Sequence, residues 1–163
     1  LNEKLRFWDT PGLGDSKEGD RIYSKKLIDM LYSDYYLDNT QYGLIDLVLV
    51  IIDGTGRDMG TTYKLLNEVI VPNFQKDRIL VAINQADMAM KGRHWDEEKN
   101  RPDEKLLSFL KDKTESVVSR VKEGTGVSIK RPVFYSAERG YNIESLLDLI
   151  VDNMPRERRN LVA

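Results

Sequence analysis

Short, continuous runs of apolar residues recur along the chain and predict β-strands. Two of the runs are apolar almost throughout, which is typical of strands covered on both faces. The predicted strands are Lys4–Asp9 (with Leu5 and Phe7 on one face), Asp46–Asp53, Arg78–Asn84 and Pro132–Tyr135, of which the second and third are the fully apolar ones.

Helical spacing of apolar residues separates these strands. The predicted helices run from Asp20 to about Leu37, over Arg57–Val71 and Asp103–Lys122, and onward from a capping Asn142, and the polar residues 88–102 form a loop. Strands that alternate with helices indicate an α/β fold with a mostly parallel sheet flanked by helices. We assign residues 1–155 to one domain and residues 156–163 to a polar, arginine-rich tail, expected to be frayed.

Composition narrows the function only by exclusion. The 163 residues carry a net charge of −2, which gives no reason to expect nucleic acid or an anionic membrane as a partner. The longest apolar run, Leu47–Ile52, is far too short to cross a bilayer. Since there are no cysteines, disulfides and thiolate metal sites are excluded, and a cytoplasmic location is the simplest expectation.

The first motif is Asp9-Thr10-Pro11-Gly12, at the end of the first predicted strand. A carboxylate at a strand end suits Mg²⁺, bound through a water, because this ion keeps part of its hydration shell. Glycine three residues later lets a backbone N–H approach a terminal phosphate. The alternative is an ordinary Pro-Gly turn.

The second motif is Asn84-Gln85-Ala86-Asp87. Guanine presents two adjacent donors, N1–H and the N2 amine, which one carboxylate such as that of Asp87 accepts together. Adenine lacks this pattern and would leave the carboxylate unpaired. We expect Asn84 to join neighbouring loops through its amide and Gln85 to cover one face of the base. The alternative is a polar turn, which is common after strands.

The third motif, Ser136-Ala137-Glu138, follows the last predicted strand. Its functional group would be the backbone N–H of Ala137, directed at guanine O6, with small side chains that let the base approach. Each motif alone is weak. Together they occur in order at strand ends, where ligands bind in open parallel sheets.

With these motifs the sequence resembles the translation-factor-like branch of the small GTPases, most closely the Era-like group. The matching segments are DTPGLGD, NQAD and SAERGYNIESLL. The resemblance implies a P-loop NTPase G domain that binds GTP or GDP with Mg²⁺ and hydrolyses GTP as a switch. It implies a magnesium role for Asp9, phosphate and switch roles for Thr10 and Gly12, and base contacts from Asn84, Gln85, Asp87, Ser136 and Ala137. A ribosome or RNA partner is implied by the resemblance alone.

Two features depart from the family pattern. Gln85 stands where lysine is usual, and no G-x-x-x-x-G-K-[ST] motif occurs. We therefore expect a partial G domain without its central first strand and P-loop, which binds nucleotide weakly or not at all and does not turn over GTP alone. Loss of that strand would leave exposed strand edges, and we expect either rearrangement of the Leu5–Asp9 strand or self-association.

A second hypothesis is a non-catalytic interaction module that keeps the G-domain scaffold. No residue is assigned to catalysis. The lone His94 and the charged run Asp96–Lys99 are interpreted as solvated loop residues.

Overall fold

The computed structural model describes residues 5–10, 17–56 and 59–161. In chain order its helices and strands are α1 (Lys17–Leu31), β1 (Asp34–Leu37), β2 (Thr40–Gly43), β3 (Val48–Asp53), α2 (Met59–Lys64), a π-helical segment (Leu65–Ile70), α3 (Val71–Asn73), β4 (Ile79–Asn84), β5 (Trp95–Asp96), β6 (Arg101–Pro102), α4 (Glu104–Thr125), β7 (Val133–Phe134) and α5 (Ile143–Asp152). Short 3₁₀ turns lie at Lys76–Arg78 and Ala86–Met88.

A three-stranded parallel sheet forms the centre, in the order β3-β4-β7. Strand β4 pairs with β3 from Val48 opposite Ile79 to Asp53 opposite Asn84. Because the strands are parallel, their carboxyl ends meet at one edge of the sheet. The predicted α/β class, with a parallel sheet flanked by helices, is confirmed.

The main core lies on one face of this sheet. It joins alternate residues of the strands to apolar residues of α1, the π-helical segment and α4. Its members include Leu31, Val50, Ile52, Leu66, Ile70, Ile79, Val81, Ile83, Val117 and Val121. Strand β4 is buried along its length apart from the half-buried Asn84, as predicted.

Strand β3 differs from the prediction in extent and in burial. It begins at Val48 rather than Asp46. In the described part of the chain it is an edge strand, and Ile51 on the face opposite Val50 and Ile52 is 51% exposed. The expectation of burial on both faces is therefore wrong for this strand.

The second predicted helix is confirmed in place but is not uniform. Its expected first residue, Arg57, lies outside the described residues, and a π-helical segment separates α2 from α3. Ile70 and Val71 keep helical backbone dihedrals, so Pro72 lies in a continuous helical run, where proline supplies no N–H for a backbone hydrogen bond. The helical region consequently continues past the predicted end at Val71 to Asn73.

The first helix is shorter than predicted, because α1 ends at Leu31 rather than near Leu37. The residues that follow form a β-hairpin of β1 and β2. Asp38 and Asn39, with φ of 49° and 61°, make its turn. Both residue types adopt this left-handed backbone more readily than most, which favours a hairpin turn over a helix.

The predicted strand Lys4–Asp9 is wrong for its described residues. Lys4 lies outside them, and residues 5–10 adopt no regular secondary structure. Phe7 and Trp8 are 61% and 52% exposed, so neither belongs to the core. This segment is not part of the sheet, and self-association through strand edges stays a prediction.

The carboxyl-terminal tail is ordered where it is described, unlike the frayed tail that the sequence predicts. Arg159 is buried, and its guanidinium donates to the carbonyl of Leu31 (2.8 Å). Gly43 N–H donates to the carbonyl of Arg159 (2.8 Å), and Asn160 forms a bridge with Tyr42. The tail therefore adds to the edge of the hairpin.

The last two helices begin where the sequence predicts. Asp103 caps α4, its carboxylate accepting from the N–H of Leu106 (2.9 Å). Asn142 stands at the start of α5 with φ of 59°, but its side chain does not cap the backbone. It accepts instead from the hydroxyl of Ser145 (2.6 Å) and donates to the carbonyl of Phe134 (2.9 Å).

Candidate functional site

The carboxyl ends of β3, β4 and β7 bring three loops together. The N–H of Gly54, after β3, donates to the carbonyl of Asn84 at the end of β4 (2.8 Å). A β-carbon at Gly54 would lie 2.5 Å from that same carbonyl oxygen. Glycine is therefore required for the close approach of the first two loops.

Asn84 joins the second loop to the third. Its side-chain oxygen accepts a hydrogen bond from the backbone N–H of Ala137 (3.1 Å). The prediction that Asn84 ties neighbouring loops together through its amide is confirmed. The same contact provides an internal acceptor for the Ala137 N–H, the group expected to face guanine O6, so Asn84 and a base would share one donor.

The backbone between Asn84 and Asp87 turns sharply. Gln85 adopts a left-handed conformation (φ 58°) and its side chain is exposed. Ala86 is fully buried, and its N–H donates to the carbonyl of Tyr135 (3.0 Å). This turn anchors the loop next to β7 and leaves Gln85 on the surface, where a side chain can cover a bound ring.

Asp87 is one of the few buried ionisable residues, with 4% exposure. Burying a carboxylate is costly unless a cation or hydrogen-bond donor compensates its charge. Arg139 lies beside this carboxylate, with its Nε 3.5 Å from Oδ2 of Asp87. A buried acid at this edge of the sheet is chemically suited to accept a donor pair such as that of guanine.

Ser136 is buried and holds the third loop in shape. Its backbone N–H and carbonyl exchange hydrogen bonds of 3.0 Å with Tyr141, and its hydroxyl accepts from the N–H of Arg139 (3.2 Å). Ala137 and Glu138 are exposed. The structure thus brings together Asn84, Asp87, Ser136 and Ala137, with Gln85 at the surface beside them.

Arg139 and Glu97 are site residues that the sequence prediction missed. The Arg139 guanidinium makes two hydrogen bonds to Glu97, of 2.7 and 2.9 Å, and these bonds raise the pKa of Arg139 further above its ordinary value. Glu97 is solvent-exposed, as expected for the run Asp96–Lys99, with 67% of its side chain accessible, and it also has this ion-pair partner. Arg139 directly follows the third motif, which was the available signal, but its acidic partner lies 42 residues away.

Lys113 is a second cation near this edge. Its ammonium donates to the carbonyl of Gly54 (2.8 Å). Burial lowers the pKa of Lys113, and the nearby carboxylate of Asp53 partly opposes that shift. The carboxylate of Asp53 accepts from the N–H of Thr55 (2.7 Å). The loop after β3 is therefore fixed by two side chains, those of Asp53 and Lys113.

The first motif is not brought into this cluster as far as it is described. Asp9 and Thr10 are exposed residues of the irregular segment, and Gly12 lies outside the described residues. Across residues 5–10, 17–56 and 59–161, no group of three or more acidic or histidine side chains could hold a metal ion.

His94 is not simply a solvated loop residue. Its Nδ1 lies 2.8 Å from Oδ2 of Asp103, the residue that caps α4. The pair links the hairpin of β5 and β6 to the start of α4.

The comparisons with known proteins add no relative. No family model, no curated protein and no solved structure matches this chain. None of the described helices is both long and apolar enough to cross a membrane. Inference about function therefore rests on the motifs and on the geometry of the loops.

Proposed function

We propose that this chain carries the base-recognition part of a guanine-nucleotide-binding protein of the Era-like type. The observation that supports it best is the buried carboxylate of Asp87, 4% exposed, in a loop that Asn84 joins to Ala137. Ligands of open parallel sheets bind beyond the carboxyl ends of the strands, and a carboxylate placed there has two oxygens that can accept a pair of adjacent donors.

The chemistry gives a defined selectivity. Guanine offers N1–H and N2–H to the two oxygens of Asp87, whereas adenine offers an acceptor at N1. Placing adenine there would leave the buried carboxylate facing a lone pair, at a cost of about 1–3 kcal/mol or more for an unsatisfied charged group. GDP should consequently bind in preference to ADP, and ATP should not compete.

Phosphate recognition is the weaker half of the proposal. Asp9, Thr10 and Gly12 are the candidates for Mg²⁺, phosphate and switch contacts by resemblance, and the sequence contains no G-x-x-x-x-G-K-[ST] loop to supply the main phosphate grip. We therefore propose weak guanine-nucleotide binding by this polypeptide, and GTP hydrolysis only for a protein of this type that contains the P-loop. A ribosome or RNA partner is suggested by the family resemblance alone, and we assign no residue to it.

The alternative function is an interaction module that keeps the scaffold without nucleotide binding. One observation favours it: the two groups assigned to guanine already have internal partners. Asp87 pairs with Arg139, and the Ala137 N–H donates to Asn84. Polar groups of a protein that does not bind a nucleotide are expected to find their hydrogen-bond partners within the protein itself, as these two groups do.

The deciding experiment is a fluorescence titration of labelled GDP with Mg²⁺, competed by ATP and by xanthosine diphosphate, for wild type and Asp87→Asn. Guanine recognition predicts that GDP binds, that ATP fails to compete, and that Asp87→Asn transfers preference to the xanthine nucleotide, whose O2 accepts from an amide. Glu98→Gln, an exposed acid-to-amide change, is the matched control and should bind as wild type. Absence of binding at millimolar nucleotide would overturn the proposal for this chain in favour of the interaction module.

A further inference from the structure

Two carboxylates share one guanidinium unequally at the proposed base site. Arg139 Nη1 and Nη2 lie 2.7 and 2.9 Å from the two oxygens of Glu97, a bidentate pair. Toward Asp87 the separation is 3.5 Å, from Nε to Oδ2. Parallel two-bond pairing is the strongest arrangement available to arginine, so Glu97 holds most of the interaction.

The neighbouring hairpin keeps Arg139 in this position. Asn100, in the β5–β6 turn, donates to the backbone carbonyl of Arg139 (2.8 Å). The guanidinium carbon lies 6.0 Å from the centroid of Trp95 in β5. Glu97 belongs to the same hairpin, so backbone, ring and carboxylate all draw Arg139 toward it.

The two acids also differ in solvent exposure, and this difference favours Asp87 rather than Glu97 as the partner of Arg139. The Glu97 side chain is 67% exposed and that of Asp87 5% exposed. A charge pair is stronger where water is excluded, so the buried Asp87 is the better electrostatic partner once the guanidinium is released.

We propose that Glu97 is an affinity-determining residue for guanine that never touches the base. It withholds Arg139 from Asp87 and leaves the carboxylate able to accept N1–H and N2–H. The effect of Glu97 on guanine affinity rests on the proposed function. The sharing of Arg139 between Glu97 and Asp87 does not, because it involves only residues of the protein. Glu97 and Arg139 are positioning residues for Asp87.

Binding tests the consequence. Glu97→Gln should lower the affinity for labelled GDP by about tenfold. This is the equivalent of one charge-assisted hydrogen bond, because the released Arg139 would compete with the base for Asp87. The same change in an Arg139→Gln background should have no further effect, because the competing cation is gone. Glu98→Gln should match wild type. The proposal is overturned if Glu97→Gln binds within about twofold of wild type, or if it weakens binding equally in both backgrounds.

A second measurement needs no ligand and separates this inference from the proposed function. The Nε–H signal of Arg139 is followed by ¹H–¹⁵N NMR, with and without Asp87→Asn. In the wild-type background, Asp87→Asn should change the chemical shift of this signal only slightly. In the Glu97→Gln background, the same substitution should change it several times more. Equal responses in the two backgrounds would sink the inference even if GDP binds. A larger response in Glu97→Gln would uphold the unequal sharing of Arg139, whereas a wild type that binds no guanine nucleotide would overturn its consequence for binding.

Discussion

The side-chain oxygen of Asn84 accepts a 3.1 Å hydrogen bond from the backbone N–H of Ala137, a residue 53 positions later in the chain. Strand β4 carries Asn84, and Ala137 follows β7, its parallel neighbour. One amide therefore sets the spacing between the two loops that we assign to guanine. Stability and site geometry should both depend on it.

Asn84→Ala is expected to lower the free energy of unfolding by about 1 kcal/mol, because the Ala137 N–H loses its acceptor. Urea denaturation measures the loss, and faster hydrogen exchange at the Ala137 amide locates it. Asn84→Asp is the control, since its carboxylate keeps an acceptor at the same position. If Ala137 exchanges as slowly in Asn84→Ala as in wild type, another group satisfies that N–H and the link is unimportant.

Arg159 should be a strong stability determinant despite its place near the end of the described chain. It donates to the carbonyl of Leu31 (2.8 Å) and lies 4.6 Å above the Phe74 ring. Arg159→Ala removes these contacts from a buried position and should cost about 2 kcal/mol of unfolding free energy.

Arg156→Ala is the matched control for this prediction, because Arg156 is an exposed arginine in the same tail. It should change the unfolding free energy by less than about 0.5 kcal/mol. Equal effects of the two substitutions, measured by urea denaturation, would show that the tail does not hold the hairpin in solution.

Acid sensitivity should centre on Asp103. The hydrogen bond from the Leu106 N–H, with His94 contributing, lowers the pKa of Asp103 below its ordinary value of 3.8. A carboxyl group whose pKa is lower in the folded state contributes stability above pH 3.8, and this contribution is lost as pH falls through the folded pKa. Stability measured by urea between pH 6 and pH 2 should therefore fall less steeply in Asp103→Asn than in wild type.

The choice of asparagine separates charge from capping. Asparagine is as good an N-cap as aspartate, so α4 keeps its first hydrogen bond while the titrating group is removed. Asp103→Ala should lower the urea midpoint at neutral pH as well. If wild type and Asp103→Asn show the same pH profile, other carboxylates dominate the acid transition.

The central elements were predictable because burial leaves a local pattern. Strand β4 is apolar from Ile79 to Ile83, and α4 repeats buried residues at helical spacing from Leu106 to Val121. The β1–β2 hairpin was missed because Leu27, Met30 and Leu31 extend a helical pattern up to it. The turn at Asp38 and Asn39 was the local signal that the helix had ended.

The candidate site was predictable in part for the same reason. Asn84 and Asp87 lie at the end of an apolar strand, β4, which the sequence predicts. The contact from Asn84 to Ala137 joins the ends of two predicted strands. Glu97 and Arg139 were not predictable, because a pair of exposed charges 42 residues apart leaves no periodicity in the sequence. Only the folded hairpin shows that a surface acid pairs with the cation beside Asp87.

Gly54 provides a test of how closely the first two loops must approach. A β-carbon there would lie 2.5 Å from the carbonyl oxygen of Asn84 and 2.9 Å from that of Gln85, both backbone atoms. Gly54→Ala must therefore displace the loop that carries Asp87. We expect a loss of about 2 kcal/mol in unfolding free energy, together with weaker binding of labelled GDP.

Gly60→Ala is the control that isolates this steric effect. Gly60 lies in α2, and a β-carbon there would meet nothing within 4 Å. Alanine is the better helix former, so this change should stabilise the protein by about 0.5 kcal/mol and leave GDP binding unchanged. Gly54→Ala with wild-type stability would mean that the β3 loop moves aside freely. In that case the contact between Gly54 and Asn84 does not position the base-recognition loop.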